Sequence, residues 1–338
     1  MRIMSDPGRS PAVPRCSIVI RCFNEAEHIG RLLEDIGRQT LADIEIVVVD
    51  SGSTDGTVDI VRRYPTRLVS ISPSEFTFGR ALNIGFRAAR GEFVVAASAH
   101  VYPVDDDWLA NLLGPFEDER VGLVYGKQRG PESSHYSELR LFESWFPEES
   151  NADQDHPFCN NANAAVRRAL WLDQPYDESL TGLEDLDWAK KAMARGHRIA
   201  YAADATIIHV HDETSAQVLN RYRREAIALK HIYPSERFSF WNFLHLFASN
   251  ALSDLGHARH EGVLIRRFWD IVSFRFLQFW GTYKGYRQSS LTNAEMRQRF
   301  YYPSGRARDR SDHGRKKLKS ENGVTSENRS AGSLTKDS

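Results

Sequence analysis

The strongest constraint on this chain is a series of short apolar, β-branched runs, each followed by a helical stripe. CSIVIRC (16–22), IEIVVVD (44–50), RLVSI (67–71) and EFVVAAS (92–98) are the runs. Between and after them, Ile29/Leu32/Leu33/Ile36, Val58/Val61, Leu82/Phe86/Ala89 and Trp108/Leu112/Phe116 recur at helical spacing. Strands joined by single helices imply right-handed crossovers and a largely parallel sheet. Near-continuous Val/Ile runs fit a sheet covered on both faces. The expected class is therefore α/β, with a mostly parallel sheet and flanking helices. Ligands of such sheets bind beyond the carboxyl ends of the strands. Three of those ends are polar here: RCFNE, DSGSTD and SAH.

The remainder organises around this unit. Residues 1–15 read as a flexible leader without the apolar core of a secretory signal. Residues 121–213 are mixed: a strand (GLVYGK), a helix around 136–146, an Asn-rich turn (CNNAN), a helix from 184 to 195 stopped by Gly196, and strands RIAYA and ATIIHVH. Residues 214–303 read as an aromatic-rich helical extension, and 304–338 as a disordered basic tail. No stretch reaches the ~18 apolar residues of a membrane span. With 41% hydrophobic and 26% charged residues, the 338-residue chain is not a wholly disordered one. A net charge of -1 argues against a chain built to coat nucleic acid. Three scattered cysteines make neither a disulfide framework nor a zinc knuckle, which fits a reducing, cytoplasmic setting.

At the second strand end, Asp50 precedes Ser51, Gly52 and Ser53, with a helix expected near Thr54. That is either a plain βα turn with a Ser/Thr cap or a nucleotide site, where the carboxylate accepts hydrogen bonds from base or ribose. Neither GxxxxGK[ST] nor GxGxxG is present. Asn24 and Glu25 start a helix or share that site. Arg80, opening a helix after Gly79, is a surface arginine or reaches a base or diphosphate. Asp105–Asp107 read best as a helix cap.

Together, CSIVIRCFNEAEHIGRLLEDIGRQT, EIVVVDSGSTDGT, GRALNIGFRAARGEFVVAASAH, NNANAAVRRALW and GLEDLDWAKKAMARGHRIAY resemble, in order, family 2 glycosyltransferases of the GT-A fold. The resemblance covers about residues 16–213, with a donor half at about 16–120 and an acceptor half at about 121–213. It implies that Phe23, Asn24, Glu25, Asp50, Ser53 and Arg80 surround the nucleoside of a nucleotide sugar. It also implies a metal-binding Asp-x-Asp pair after EFVVAA, yet Ser98, Ala99 and His100 stand there. His100, His209 and His211 become the candidate ligands of a divalent metal, Mn²⁺ or Mg²⁺, with imidazole suiting Mn²⁺ better. The other outcome is a metal-independent enzyme that holds the diphosphate with His and Arg.

By the same resemblance, Asp185 is the general base of an inverting transfer and Glu184 orients or binds the acceptor. Thr181-x-x-Glu184 also reads as a capping box. Asp187 serves helix electrostatics. Trp188 either stacks on a sugar or packs in the core, and Asn161 and Asn163 lie on the acceptor side. YDESLTGLEDLDWA and HVHDET resemble bacterial rhamnosyltransferase-type members. The expected function is transfer from a nucleotide sugar to a cell-surface polysaccharide or lipid-linked oligosaccharide. The rivals are a nucleotidyltransferase and a non-catalytic sugar-nucleotide-binding or scaffold protein with a degenerate metal site.

In residues 238–286 aromatics and leucines alternate with Arg, Lys and His, reading as packed helices or an interfacial amphipathic surface. From Arg297 to Ser338, eleven Lys/Arg stand against five Asp/Glu. Peripheral attachment to an anionic membrane is the matching expectation.

Overall fold

The computed structural model describes residues 13–288. The leader before residue 13 and the basic tail lie outside the described residues. In chain order the elements are β1 (Cys16–Cys22), α1 (Ile29–Gly37), β2 (Ile44–Asp50), α2 (Thr57–Val61), β3 (Arg67–Ser70), α3 (Phe78–Ala88), β4 (Phe93–Ser98), β5 (Val101–Pro103), α4 (Trp108–Leu113), β6 (Val121–Arg129), α5 (Tyr136–Trp145), β7 (Asn163–Arg167), α6 (Arg168–Asp173), α7 (Glu184–Ala194), β8 (Arg198–His209), α8 (Ser215–Ile232), α9 (Phe240–His260) and α10 (Leu264–Arg287).

The eight strands form one sheet, ordered β3-β2-β1-β4-β7-β6-β8-β5. The first four strands of that order run parallel, as the crossover pattern requires. β7 is antiparallel to both neighbours and β5 to β8, so the second half is mixed. Alternate β1 residues feed opposite cores. Ile18 and Ile20 pack with Leu32, Val48 and Trp108, while Val19 packs with Leu82, Phe86 and Trp171. This is the two-faced burial that the Val/Ile runs demanded.

Three local expectations change. The helix after the Asp50 turn begins at Thr57, not near Thr54, because Asp50 and Asp55 tie down the intervening backbone. RIAYA and ATIIHVH form one long strand, β8, ending at His209. Asp107 stands at the cap position of α4, but its carboxylate accepts from the Thr40 hydroxyl (2.7 Å).

The C-terminal helices pack on this body. Ser239 and Thr214 each close a capping box, fixing where α9 and α8 begin. Gly281 and Gly285 of α10 face the α8 backbone: a Cβ on either would lie 2.6 or 2.5 Å from the carbonyls of Leu219 and Arg223. Only glycine permits that approach, and it sets the side of α8 that is left for the cavity.

Candidate active site

A cleft of about 470 Å³ opens at the carboxyl ends of β1 and β4. Arg21 and Ser98, partners in the β1–β4 register, both line it, together with Glu25, His100, Asp185 and His211.

The turn after β1 lies against the turn after β2. Asn24 adopts a left-handed backbone (φ 58°), and its Oδ1 accepts from the Thr54 N–H (2.8 Å). The Asn24 N–H donates to Ser53 Oγ (2.9 Å), and that of Glu25 to Thr57 Oγ1 (2.8 Å). Buried Asp50 accepts from the N–H groups of Gly52 (3.0 Å) and Ser53. The two turns are therefore a single unit, and Phe23 on it is partly exposed. Arg80 pairs with Glu75 and Glu178 (3.3 Å each), bracing the start of α3 against the loop before α7. Of the residues expected around the nucleoside only Glu25 lines the cleft; Phe23, Asn24, Asp50, Ser53 and Arg80 do not.

Asp185 is 8% exposed. Its Oδ2 accepts from the Asn161 N–H (2.9 Å) and its Oδ1 from the Leu186 N–H (2.8 Å). Burial, and then the neighbouring Glu184 carboxylate, push its pKa up to about 7 against the pull of those N–H groups and of Arg21. Glu184 lies 3.5 Å from Arg21 Nη1 and 3.5 Å from Asn161 Nδ2. Leu183, immediately before the pair, adopts a left-handed conformation (φ 57°). A branched residue there costs about 1–2 kcal/mol, and such strain is retained where a site needs its neighbours aimed. The expected Thr181–Glu184 capping box is not formed. Leu183 takes the cap position, and Thr181 Oγ1 donates to the Arg224 carbonyl (2.7 Å).

The acceptor-side residues separate. Asn161 lines the cleft and accepts from the Tyr176 hydroxyl (3.3 Å). Asn163 faces inward: it donates to the Ala205 carbonyl (2.8 Å) and accepts from Trp108 Nε1 (2.9 Å). Trp188 is 2% exposed and donates to the Gln174 carbonyl, so the core reading holds and the sugar-stacking one is corrected. Ala99 is likewise sealed in the core between two cleft residues, Ser98 and His100.

The histidines converge. His100 Nδ1 bonds Glu25 Oε1 (2.9 Å), and its ring stacks 5.2 Å from that of His209. His209 Nδ1 meets Gln128 Oε1 (2.8 Å), and His211 Nδ1 meets Glu138 Oε1 (2.8 Å). The two Nε2 atoms face each other at 3.2 Å. Such a pair needs a proton or a cation between them. Burial, together with His211 and His100, lowers the pKa of His209 far below its ordinary value, so that ring is neutral and able to offer a lone pair. A ring whose other nitrogen donates to a carboxylate is the usual arrangement of a metal-ligating histidine. Glu138, His211 and Glu213 also bring ligand atoms within 4.8 Å of one another. The donor set fits a cation that accepts imidazole and carboxylate together, such as Mn²⁺. Burial alone would raise the Glu138 pKa, but His211 and Arg221 hold it down to about 2, so it stays anionic.

Several cleft residues carried no sequence signal. Glu138 and Trp145 sit on α5, and Arg221 and Arg224 on α8. Trp145 is 41% exposed, unusual for so large an aromatic inside a polar cleft.

Residues 17–172 match the family model described as glycosyl transferase family 2. The O-antigen chain rhamnosyltransferase WbaN of Salmonella anatum is 30% identical over 203 residues, 55% of this chain and 62% of that protein. RfbN of Salmonella typhimurium, also an O-antigen chain rhamnosyltransferase, is 24% identical over 62% of this chain and 70% of its own length. Just under half of this chain is thus similar to glycosyl transferase family 2, and the chain spans 62% of the length of WbaN. Its fold is similar to that of the mannosyltransferase PcManGT from Pyrobaculum calidifontis, solved with GDP-Man and Mn²⁺. The TM-score is 0.56 at 22% identity, over 81% of this chain and 88% of that one. The GT-A expectation is met.

Proposed function

We propose that this chain is an inverting glycosyltransferase of family 2. It would move a sugar from a nucleotide donor to a hydroxyl of a cell-surface or lipid-linked saccharide, with a deoxyhexose such as rhamnose the leading donor in view of WbaN and RfbN. The observation that carries this is Asp185, a buried carboxylate of raised proton affinity held at the cleft wall by two backbone N–H groups. A base poised near neutral pH is what proton removal from an alcohol in flight requires.

In the step itself the acceptor oxygen attacks the anomeric carbon and its proton passes to Asp185. The bond from that carbon to the diphosphate oxygen breaks, and its electron pair leaves with the nucleoside diphosphate. Glu184, anchored near Arg21, would orient the acceptor and stabilise positive charge developing on the sugar ring (by analogy with glycoside cleavage). Trp145 would offer the flat apolar face that saccharides stack on, the role the sequence had suggested for Trp188. The Asp50–Ser53 and Asn24–Glu25 unit would hold the nucleoside.

His209 and His211 would hold a divalent cation, with Glu138 orienting His211 and Glu213 beside it. Such a cation would neutralise the diphosphate. His100, bonded to Glu25, would bind at its edge.

Attachment to an anionic membrane through the C-terminal helices belongs to the same reading. Among the described residues no helix is long and apolar enough to cross a bilayer. Yet Trp241 (77% exposed), Ile265 (95%) and Trp269 (76%) lead apolar stripes on α9 and α10, with Arg259 and Arg266 nearby. The carboxylates turn inward: Asp254 pairs with Arg275, and Asp270 with His135. Glu261, between the two helices, is exposed, so basic and acidic groups both flank this apolar surface, and the apolar stripes are what fit a lipid interface.

The test is a panel of nucleotide sugars (dTDP-rhamnose, GDP-mannose, UDP-GlcNAc) with and without Mn²⁺. The readouts are nucleoside diphosphate release and the anomeric configuration of the product. Retention of configuration, or no turnover of any donor with lipid-linked acceptors, would refute the proposal.

A further inference from the structure

The cleft carries three arginines, and two are already matched. Arg21 lies 3.5 Å from Glu184, and Arg221 lies 2.7 Å from both Glu138 and Glu213. Arg224 is the exception. Among the described residues it has no carboxylate within ion-pair distance, and its buried Nε has no hydrogen-bond partner. Its guanidinium carbon lies 4.5 Å from the centroid of the Phe78 ring, over which Arg21 also sits at 4.9 Å.

This arginine is held in place from two sides. The Thr181 hydroxyl donates to its carbonyl (2.7 Å), tying α8 to the loop that leads into Glu184 and Asp185. Gly182 lies alongside it: a Cβ there would stand 3.4 Å from Arg224 Nε, in ordinary contact. The preceding residue, Arg223, turns the other way and donates to Gln288. The fold thus presents one guanidinium without a direct ion pair, among the described residues, to a cleft that also holds Glu184, Asp185, Glu213 and Glu225, of which Glu225 feels its charge. Half-burying a charge without a partner is unfavourable unless an anion arrives to match it, and a guanidinium fork suits phosphate oxygens best.

We propose that Arg224 is a phosphate-binding residue of this cleft, contacting a phosphate group of a bound substrate. The inference rests on the transferase reading above and adds to it a residue from α8, beyond the segment that the family model matches. Two substrates could bring that chemistry: the diphosphate of the nucleotide donor, or the diphosphate that links a saccharide acceptor to its lipid.

Calorimetric titration of the full-length protein distinguishes them. The probes are UDP, GDP and dTDP in one arm and farnesyl diphosphate, a lipid diphosphate, in the other. The free nucleosides serve as controls. A charge-assisted hydrogen bond to phosphate is replaced in Arg224→Gln, so affinity should fall about ten- to hundredfold in one arm. Arg224→Lys should recover part of it. Nucleoside binding and melting temperature should stay at wild-type values, which separates a lost contact from a lost fold. A loss confined to the nucleotide arm assigns the donor diphosphate, and a loss confined to the lipid arm assigns the acceptor. Unchanged affinity of folded Arg224→Gln in both arms overturns the inference while leaving the transferase reading intact. Wild-type protein that binds no probe of either arm overturns both.

Discussion

Asp185→Asn should separate chemistry from stability, because the feature that makes this carboxylate a base also makes it costly to bury. Its pKa rises from 3.8 to about 7, and at ~1.4 kcal/mol per pH unit the ionised group costs the native state about 4 kcal/mol. The sign follows from the direction. Between roughly pH 4 and 7 the unfolded chain has lost this proton and the native chain still holds it, so stability falls as pH rises through that window. The amide cannot ionise and escapes the cost. It can accept from only one of the two N–H donors, Asn161 or Leu186, and orphaning the other costs about 1–3 kcal/mol. The variant should therefore match wild type near pH 5 and exceed it by about 1–3 kcal/mol at pH 8. For a chain of this size that is about 2 °C of melting temperature per kcal/mol. Thermal melts of both proteins at half-unit steps from pH 5 to 8 read the difference directly. In parallel, transfer should vanish while nucleotide binding persists, and wild-type kcat should climb through about pH 7 as the base ionises. A melting difference that stays flat across the series would refute the account of the raised pKa. Ordinary turnover by the variant would remove Asp185 as the base.

The remaining expectations are simpler. Mn²⁺ should raise the melting temperature of wild type, and His211→Ala should abolish most of that rise; equal rises in both proteins would place the cation elsewhere. Trp145→Ala should raise the acceptor KM at least tenfold with little change in nucleotide affinity, and Trp145→Phe should fall between them. Unchanged KM would end the stacking role. Replacing Trp241 and Trp269 together by serine should weaken binding to phosphatidylglycerol vesicles in sedimentation assays without lowering the melting temperature. Full retention on vesicles would show that the exposed helices serve something other than lipid.

Local patterns in the chain were enough to reveal the parallel half of the sheet. Val/Ile runs that must be buried on two faces force a covered parallel sheet, and polar residues at their ends mark where ligands meet it. Asp50, Ser53, Asn24 and Glu25 therefore stood out from position alone, and the family order of motifs added Asp185. His209 and His211 were legible because two residues apart on an extended backbone share a face, although His211 lies just past the end of the strand.

Tertiary packing decided the rest. Glu138, Trp145, Arg221 and Arg224 lie on amphipathic helices whose spacing says only that one side is buried, not what the other side faces. Trp188 and Asn163 show the converse. Their neighbours in sequence enter the cleft, but helix rotation and strand alternation turn these two into the core. Sequence specifies the period of burial along each element, because that depends on backbone geometry alone. Which side chains share a cavity depends on how separate elements cross, and here that is set by contacts such as Gly281 and Gly285 against α8, made between residues about sixty positions apart.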